Sequence, residues 1–246
     1  MAERRGVSLT WLAGAGILAL ASCVFGLAGF GLGLVALALL PFLMPPTLAV
    51  PLVSMYSAVF GLVLTLQLRR DLMAAPLVAL LSGALVGTPV GVWGLATLPA
   101  SWLRRLIGGI LMGVVLIEWR DLYPRAVSGR AWGVAAGVVS GLLGGAIGTP
   151  GPPVILYAAA QGWPPRAMKA TLQGFFFANQ LVILVSQWWA GLLTPEVAWL
   201  ALGFAPPAVL GVALGMHLFR AVDPVRFRRV VFAVLFVLGL TLCLRG

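Results

Sequence analysis

Charge is what this sequence has least of. Only 9% of its 246 residues are Asp, Glu, Lys or Arg, 61% are hydrophobic, and the mean hydropathy is +1.08. From Gly6 to Leu68 it runs 63 residues without one Asp, Glu, Lys, Arg or His. A soluble domain of this length needs more charge than that, so composition excludes one and points to an integral membrane protein. Backbone groups in lipid must pair internally, and the apolar residues come in Leu/Val/Ala/Gly blocks without alternation, so the chain spans as helices and not as a barrel. Histidine is limited to His217, and the two cysteines, Cys23 and Cys243, lie at opposite ends, which excludes metal-ligand spacing and a disulfide framework. The six acids, Glu3, Asp71, Glu118, Asp121, Glu196 and Asp223, all stand at block edges. An intramembrane enzyme needs a buried nucleophile–base pair or metal constellation, and these residues do not supply one; no cofactor is expected either. The net charge of +10 comes from short basic clusters beside apolar blocks, which are membrane-topology signals and not a nucleic-acid surface.

What is there instead is a series of charge-poor blocks, at about 9–44, 47–68, 72–98, 101–119, 131–160, 167–192, 197–218 and 226–244. The basic start and small residues before Cys23 resemble a signal peptide, but the apolar run continues well past Cys23, which fits a retained span. Most blocks suit one crossing of a hydrocarbon layer roughly 30 Å thick. Residues 9–40 as one helix would reach about 48 Å at about 1.5 Å per residue, too long for a straight crossing. The 131–160 block is overlong too, and both carry Gly/Pro breaks. They also correspond: "MPPTLA" (44–49) aligns with "WPPRAM" (163–168) at an offset of 119 residues, which sets Gly26 on Gly145, Gly29 on Gly148 and Gly33 on Pro152. "LRRL" (103–106) resembles "FRRV" (227–230) after a short insertion. The expected architecture is an all-α polytopic membrane protein of two homologous four-block repeats, 1–122 and 123–246, each with a broken or re-entrant first helix.

Counting basic residues tests the topology. Eight plain crossings divide the 16 Lys and Arg eight to a side, which is no bias. If both overlong blocks fold back, the clusters at 69–70, 120–130, 166–169 and 220–229 share one side, 11 against 5. Folding back only the second gives 13 against 3. The positive-inside rule favours fold-back, and folding back both inverts one repeat relative to the other, a common transporter plan.

"GGAIGTPGPP" (144–153) holds four glycines and three prolines and cannot continue a helix. Non-helical backbone at membrane depth is tolerated only where protein or a water-filled cavity surrounds it, so this stretch is a candidate site. Gly148, Thr149 and Gly151 can offer backbone N–H groups, and Thr149 adds a hydroxyl. Pro152 and Pro153 suit the first turn of a new helix, whose dipole and free N–H groups at Val154 and Ile155 would face the break. Such a terminus attracts anions. "GLAGFGLG" (26–33) stands at the matching place in the first repeat, offering Gly29, Gly31 and Gly33. Two such breaks facing each other would make a midplane pocket for something small and negative. The competing reading is that the glycines serve close helix packing and the prolines merely kink.

Polar residues inside apolar blocks are the other candidates. Thr171, Gln173, Asn179 and Gln180 lie in "KATLQGFFFANQL", with 173 and 180 on one helix face. Unpaired amides in lipid cost several kcal/mol, so these should face protein, a neighbouring helix or the pore. Ser54 and Ser57 could line an opposite wall. Arg166 and Lys169 are either retention charges or, near the broken helix, collectors of anions. His217 and the nine tryptophans read as interfacial anchors.

"SGLLGGAIGTPGPPVILYAAAQGWPPRAMKATL" (140–172) resembles the second-repeat signature of the TauE/SafE family of sulfite exporters: a glycine-rich turn, Gly-x-Pro-Pro, an apolar helix, and a basic residue before Ala-Thr. The duplicated layout and Arg69-Arg70 after the second block match as well. "VPLVS" (50–54) departs from the family pattern, which commonly shows a small or hydroxyl pair there. The resemblance implies a multi-pass bacterial inner-membrane transporter, usually an exporter, of sulfite, organosulfonates or related small sulfur-containing anions. An anion channel and a non-transporting scaffold subunit are the alternative readings. Proton coupling and homo-oligomerisation stay open; without an intramembrane carboxylate, either the substrate brings its own proton or the membrane potential drives the anion outward.

Overall fold

The computed structural model describes residues 2–29, 31–120, 129–218 and 224–245. Among these, ten α-helices account for the fold, and no strand occurs: α1 (Ala2–Ala28), α2 (Leu32–Leu39), α3 (Pro46–Leu68), α4 (Ala74–Thr97), α5 (Ala100–Trp119), α6 (Arg130–Ile147), α7 (Gly151–Ala160), α8 (Pro165–Trp189), α9 (Pro195–Leu218) and α10 (Pro224–Arg245). Among the described residues, seven helices are long and apolar enough to cross a membrane: α1, α3, α4, α5, α6, α8 and α9. Each overlong block is divided, the first into α1 and the 8-residue α2, the second into α6 and the 10-residue α7. At about 1.5 Å per residue α7 spans only about 15 Å, half a crossing.

The chain forms two compact units, and each draws on both halves of the sequence. The first comprises residues 1–53, 100–115 and 194–246. Its main contact is α1 along α9, made close by small residues. A Cβ on Gly26 would overlap the Val212 carbonyl, on Gly211 the Ala19 carbonyl, and on Gly215 the Cys23 carbonyl. Residue numbers rise together along both helices, so they run parallel. α5 and α10 meet in the opposite sense, with Gly108 on the Gly239 carbonyl and Cys243 Sγ donating to the Arg105 carbonyl at 3.5 Å.

The second unit comprises residues 54–99 and 116–193. α4 and α6 run parallel, and their backbones touch through small residues spaced four apart. Gly83, Gly87 and Gly91 of α4 sit on the α6 backbone at Val134, Val138 and Leu142. Gly137, Gly141 and Gly145 of α6 sit on the α4 backbone at Leu80, Ala84 and Thr88. Without a hydrophobic effect to drive association in lipid, such close approach supplies the dispersion contacts that hold helices together. α8 packs on the same pair, with Leu80, Ala84, Val154, Tyr157, Ala158, Leu172 and Phe175 as the shared apolar core.

α7 reverses direction. Pro150, just before it, lies at Gly144 near the end of α6. Tyr157, two turns into α7, donates its hydroxyl to the Gly129 carbonyl at the start of α6, at 3.5 Å. α8 then runs parallel to α6, since Asn179 reaches the same Gly144. The second block therefore folds back as a helical hairpin. Because α6 has crossing length of its own, the turn lies at its end and not halfway along a helix.

Candidate functional site

The turn between α6 and α7 is made by Gly148, which adopts φ 65° and ψ 19°, the left-handed conformation that glycine enters without steric cost. Its N–H donates to the Gly144 carbonyl at 3.0 Å, and the Thr149 N–H donates to the Leu143 carbonyl at 3.4 Å. The sequence suggested both amides as ligand donors; instead they close α6, because a helix end in apolar surroundings must first pair its own carbonyls. α7 begins at Gly151, so its four unpaired first-turn positions fall at residues 150–153. Three of those are prolines, which leaves the Gly151 amide. Val154 and Ile155, expected to present free amides, fall past that turn, and the Val154 side chain is buried in the apolar core. Pro152 is half-buried in α7's first turn.

Side chains supply what the backbone does not. Thr149 is 3% exposed, and its Oγ1 has no hydrogen-bond partner. Asn179, on α8, is fully buried; its Oδ1 accepts a hydrogen bond from Thr88 Oγ1 of α4 at 2.8 Å, while its Nδ2 is unpaired. A Cβ built on Gly144 would meet Pro150 Cβ at 3.0 Å, Ile183 Cδ1 at 3.1 Å and Asn179 Nδ2 at 3.2 Å, so the Asn179 amide reaches the turn across a missing side chain. Ser140, one turn below Gly144, donates its hydroxyl to the Pro150 carbonyl and fixes the turn to α6. A buried polar atom without a partner costs about 1–3 kcal/mol, and this segment holds one on Thr149 and one on the Asn179 amide beside Gly144. A Cβ on Gly151 would make ordinary contacts, 3.5 Å to Ile155 Cδ1 and 3.9 Å to Phe176 Cζ.

The other sequence candidates separate. Gln187 Nε2 donates to Ser54 Oγ at 3.2 Å, tying α8 to α3, while Gln187 Oε1 and the neighbouring Gln180 Nε2 are buried and unpaired. Ser57 is half-buried one turn along α3. Thr171 accepts the Met73 N–H at 3.1 Å, and the Gln173 carbonyl accepts Thr65 Oγ1 at 3.1 Å. Both hold α8 to neighbouring helices. Arg166 and Lys169 are exposed in the first turns of α8. They precede Asn179 by about 15–20 Å of helix, so they do not flank the turn. Every described charged side chain of this unit is exposed: Arg69, Arg70, Asp71, Arg120, Arg130, Arg166 and Lys169.

In the first unit, Gly29 (φ 76°) ends α1, its N–H donating to the Phe25 carbonyl at 2.7 Å, and Gly31 (φ 97°) precedes α2, with Gly33 in its first turn. Gly26 serves packing against α9, as the competing reading of that stretch held. Glu196 and His217 are exposed. Asp121, Asp223 and Arg220, and the side chains of Glu3 and Glu118, lie outside the described residues.

Thr88, Ser140 and Gln187 were not singled out in the sequence. Gln187 could have been, since it continues the seven-residue spacing of Gln173 and Gln180. Thr88 could not: a lone helical threonine normally bonds its own preceding turn, and only the packing of α4 on α8 reveals another partner.

The model of the sulfite exporter TauE/SafE family matches residues 13–242. A probable sulfite/organosulfonate exporter TauE of Cupriavidus necator is 30% identical over 172 residues, 70% of this chain and 67% of that protein. No solved structure matches the chain. With the family's pattern running from α1 into α10, the chain belongs to the TauE/SafE sulfite exporter family.

Proposed function

We propose that this protein is a secondary transporter that exports sulfite, an organosulfonate or a related small anion across the bacterial inner membrane, and that the anion binds at the α6–α7 turn. The observation that carries the reading is the pair of unpaired donors, Thr149 Oγ1 and Asn179 Nδ2, buried beside a helix start. A small oxyanion fits them chemically: its oxygens accept from a hydroxyl, a side-chain amide and the Gly151 N–H, and the α7 dipole favours negative charge. The family supports the substrate class, as does the name of the Cupriavidus necator relative.

Reading the chain as an internal duplication favours a carrier. Gly29 and Gly148 are both left-handed and stand at the offset of 119 residues, as do Pro46 and Pro165, which open α3 and α8. In both halves a long helix is followed by a short one and then by three long ones. The tight parallel contacts match too: first helix of one half with fourth helix of the other, as α1 with α9 and as α4 with α6. With α2 returning as α7 does, the five legs of each half would turn the second half over relative to the first. Such inverted repeats exchange roles in alternating access. The membrane potential supplies the driving force, about 2.3 kcal/mol for each negative charge leaving per 100 mV.

The test is uptake by proteoliposomes from a panel of sulfite, an alkyl sulfonate, sulfate and a carboxylate, with counterflow as readout. Saturable counterflow of the sulfur anions supports a carrier. Ohmic single-channel currents would make it a channel, and no flux of any anion would make it a scaffold.

A further inference from the structure

The donors at the α6–α7 turn are all electrically neutral, and this sets the charge state the site can hold. We propose that the site takes a singly charged oxyanion, hydrogensulfite or a sulfonate, and rejects the doubly charged sulfite and sulfate. The proposal rests on reading this turn as the anion site.

The surroundings can be followed element by element. α4 carries no ionisable residue between Ala74 and Thr97. α6 carries Arg130 in its first turn, exposed and at the opposite end from the break. α7 contributes one titratable group, Tyr157, whose hydroxyl is occupied with the Gly129 carbonyl at that same far end. α8 carries Arg166 and Lys169, exposed and several turns before Asn179. α3 carries one titratable group from residue 54 to Leu68, the buried phenol of Tyr56, and the exposed Arg69, Arg70 and Asp71 follow it. Among the described residues of this unit, the donors at the turn are therefore the Thr149 hydroxyl, the Asn179 amide and one backbone N–H, all uncharged.

Moving an ion from water into a weakly polar interior costs free energy that grows with the square of its charge, so a dianion costs roughly four times what a monoanion does. Hydrogen bonds from neutral donors strengthen only in proportion to charge, and among the described residues of this unit no cation is buried to make up the difference. Two further contacts fix the donor set. Thr88 Oγ1 occupies Asn179 Oδ1, so the amide presents its NH2 end to the turn. Ser140 occupies the Pro150 carbonyl, which removes an acceptor that would repel an anion. The Thr149 hydroxyl can both donate and accept, and so can also receive the O–H of hydrogensulfite. Each turnover then carries one negative charge and, for hydrogensulfite, one proton, which is released on the far side as the ion divides into H⁺ and sulfite.

The experiment compares sulfite with methanesulfonate, whose charge does not change with pH, in proteoliposomes of the full chain held at pH values below, at and above the ionisation of hydrogensulfite. The expected result is a half-saturating total sulfite concentration that rises about tenfold for each further pH unit above that ionisation. Methanesulfonate should keep one half-saturating concentration throughout, which also shows that the protein tolerates the pH range. Sulfate should compete poorly at every pH. A sulfite concentration dependence that is flat across the range, or sulfate competing as well as methanesulfonate, overturns the charge selectivity while leaving the site in place. If Thr149→Val transports both monoanions with the parent's affinity, the site reading fails and this inference fails with it.

Discussion

At the scale of single residues, a buried donor without a partner separates function from stability. Thr149→Val keeps the side-chain shape and removes a hydroxyl that the protein does not itself use. The folded chain should therefore be as stable as the parent or slightly more so, because a desolvated polar atom has been removed. Affinity should move the other way, since a hydrogen bond to a charged ligand contributes about 1.5–3 kcal/mol, or about tenfold and more in half-saturating concentration. Thermal melting in detergent and proteoliposome uptake together check both halves. Thr171→Val is the contrast: it strands the Met73 N–H where α4 begins and should lose about 1–3 kcal/mol of stability, seen as a lower melting temperature, with anion affinity unchanged in the molecules that fold. Composition alone had placed these two threonines in one class, because a hydroxyl in an apolar run says that a partner is needed and not which one. Asn179 was legible for the same reason, and which of its two amide ends is satisfied depends on Thr88, 91 residues away in sequence.

At the scale of elements, the fold depends on helices approaching to backbone distance. Gly87→Ala sets a Cβ against the Val138 carbonyl, and since neither backbone can yield alone, α4 and α6 must separate along their length. The expected loss is about 1–3 kcal/mol, measured as a drop in melting temperature, despite alanine's better helix propensity. Gly94→Ala, in the same helix, meets only Leu98 Cδ1 at 3.7 Å and should be neutral or stabilising. A related pair tests the turn: Gly148→Ala forces a Cβ into the left-handed region, costing about 1–2 kcal/mol, whereas Gly148→Asn is better tolerated. The helices themselves were plain in the sequence, because length and lack of charge decide what can span lipid. The hairpin of α6 and α7 was signalled by too many residues for one crossing and by glycine and proline where the excess fell. Pairing was not readable: nothing local to Gly83, Gly87 and Gly91 says that α6, and not α5, fills the space their side chains leave. The terminal amides of α6 misled for a related reason, since whether an N–H is free depends on which carbonyls the chain turns back towards.

At the scale of the whole molecule, the reversal of α7 decides on which side of the membrane everything after it lies. Asn179 and Pro150 both lie beside Gly144, and Tyr157 reaches Gly129, so α6 and α8 run in one direction with α7 returning. Arg130 and Arg166, the start of α6 and the first turn of α8, must then share a membrane face, and Ala190, the residue after α8, must lie on the other. In the proposed topology, with both overlong blocks folded back, 11 of the 16 Lys and Arg fall with Arg130 and Arg166, and the positive-inside rule then predicts that this face is cytoplasmic. The chain's cysteines, Cys23 and Cys243, are both free thiols, so replacing them with alanine gives a background for single-cysteine labelling. In intact cells a membrane-impermeant maleimide should then modify Ala190→Cys, and should reach Arg130→Cys and Arg166→Cys only after permeabilisation. Opposite accessibility of positions 130 and 166 would mean that no return leg lies between α6 and α8. The inverted repeat would lose its basis, and with it the alternating-access cycle drawn from it. Matching accessibility at both, with position 190 opposed, leaves a half-length helix returning through the hydrocarbon layer. A chain this apolar keeps such a leg only where its first turn faces something other than lipid.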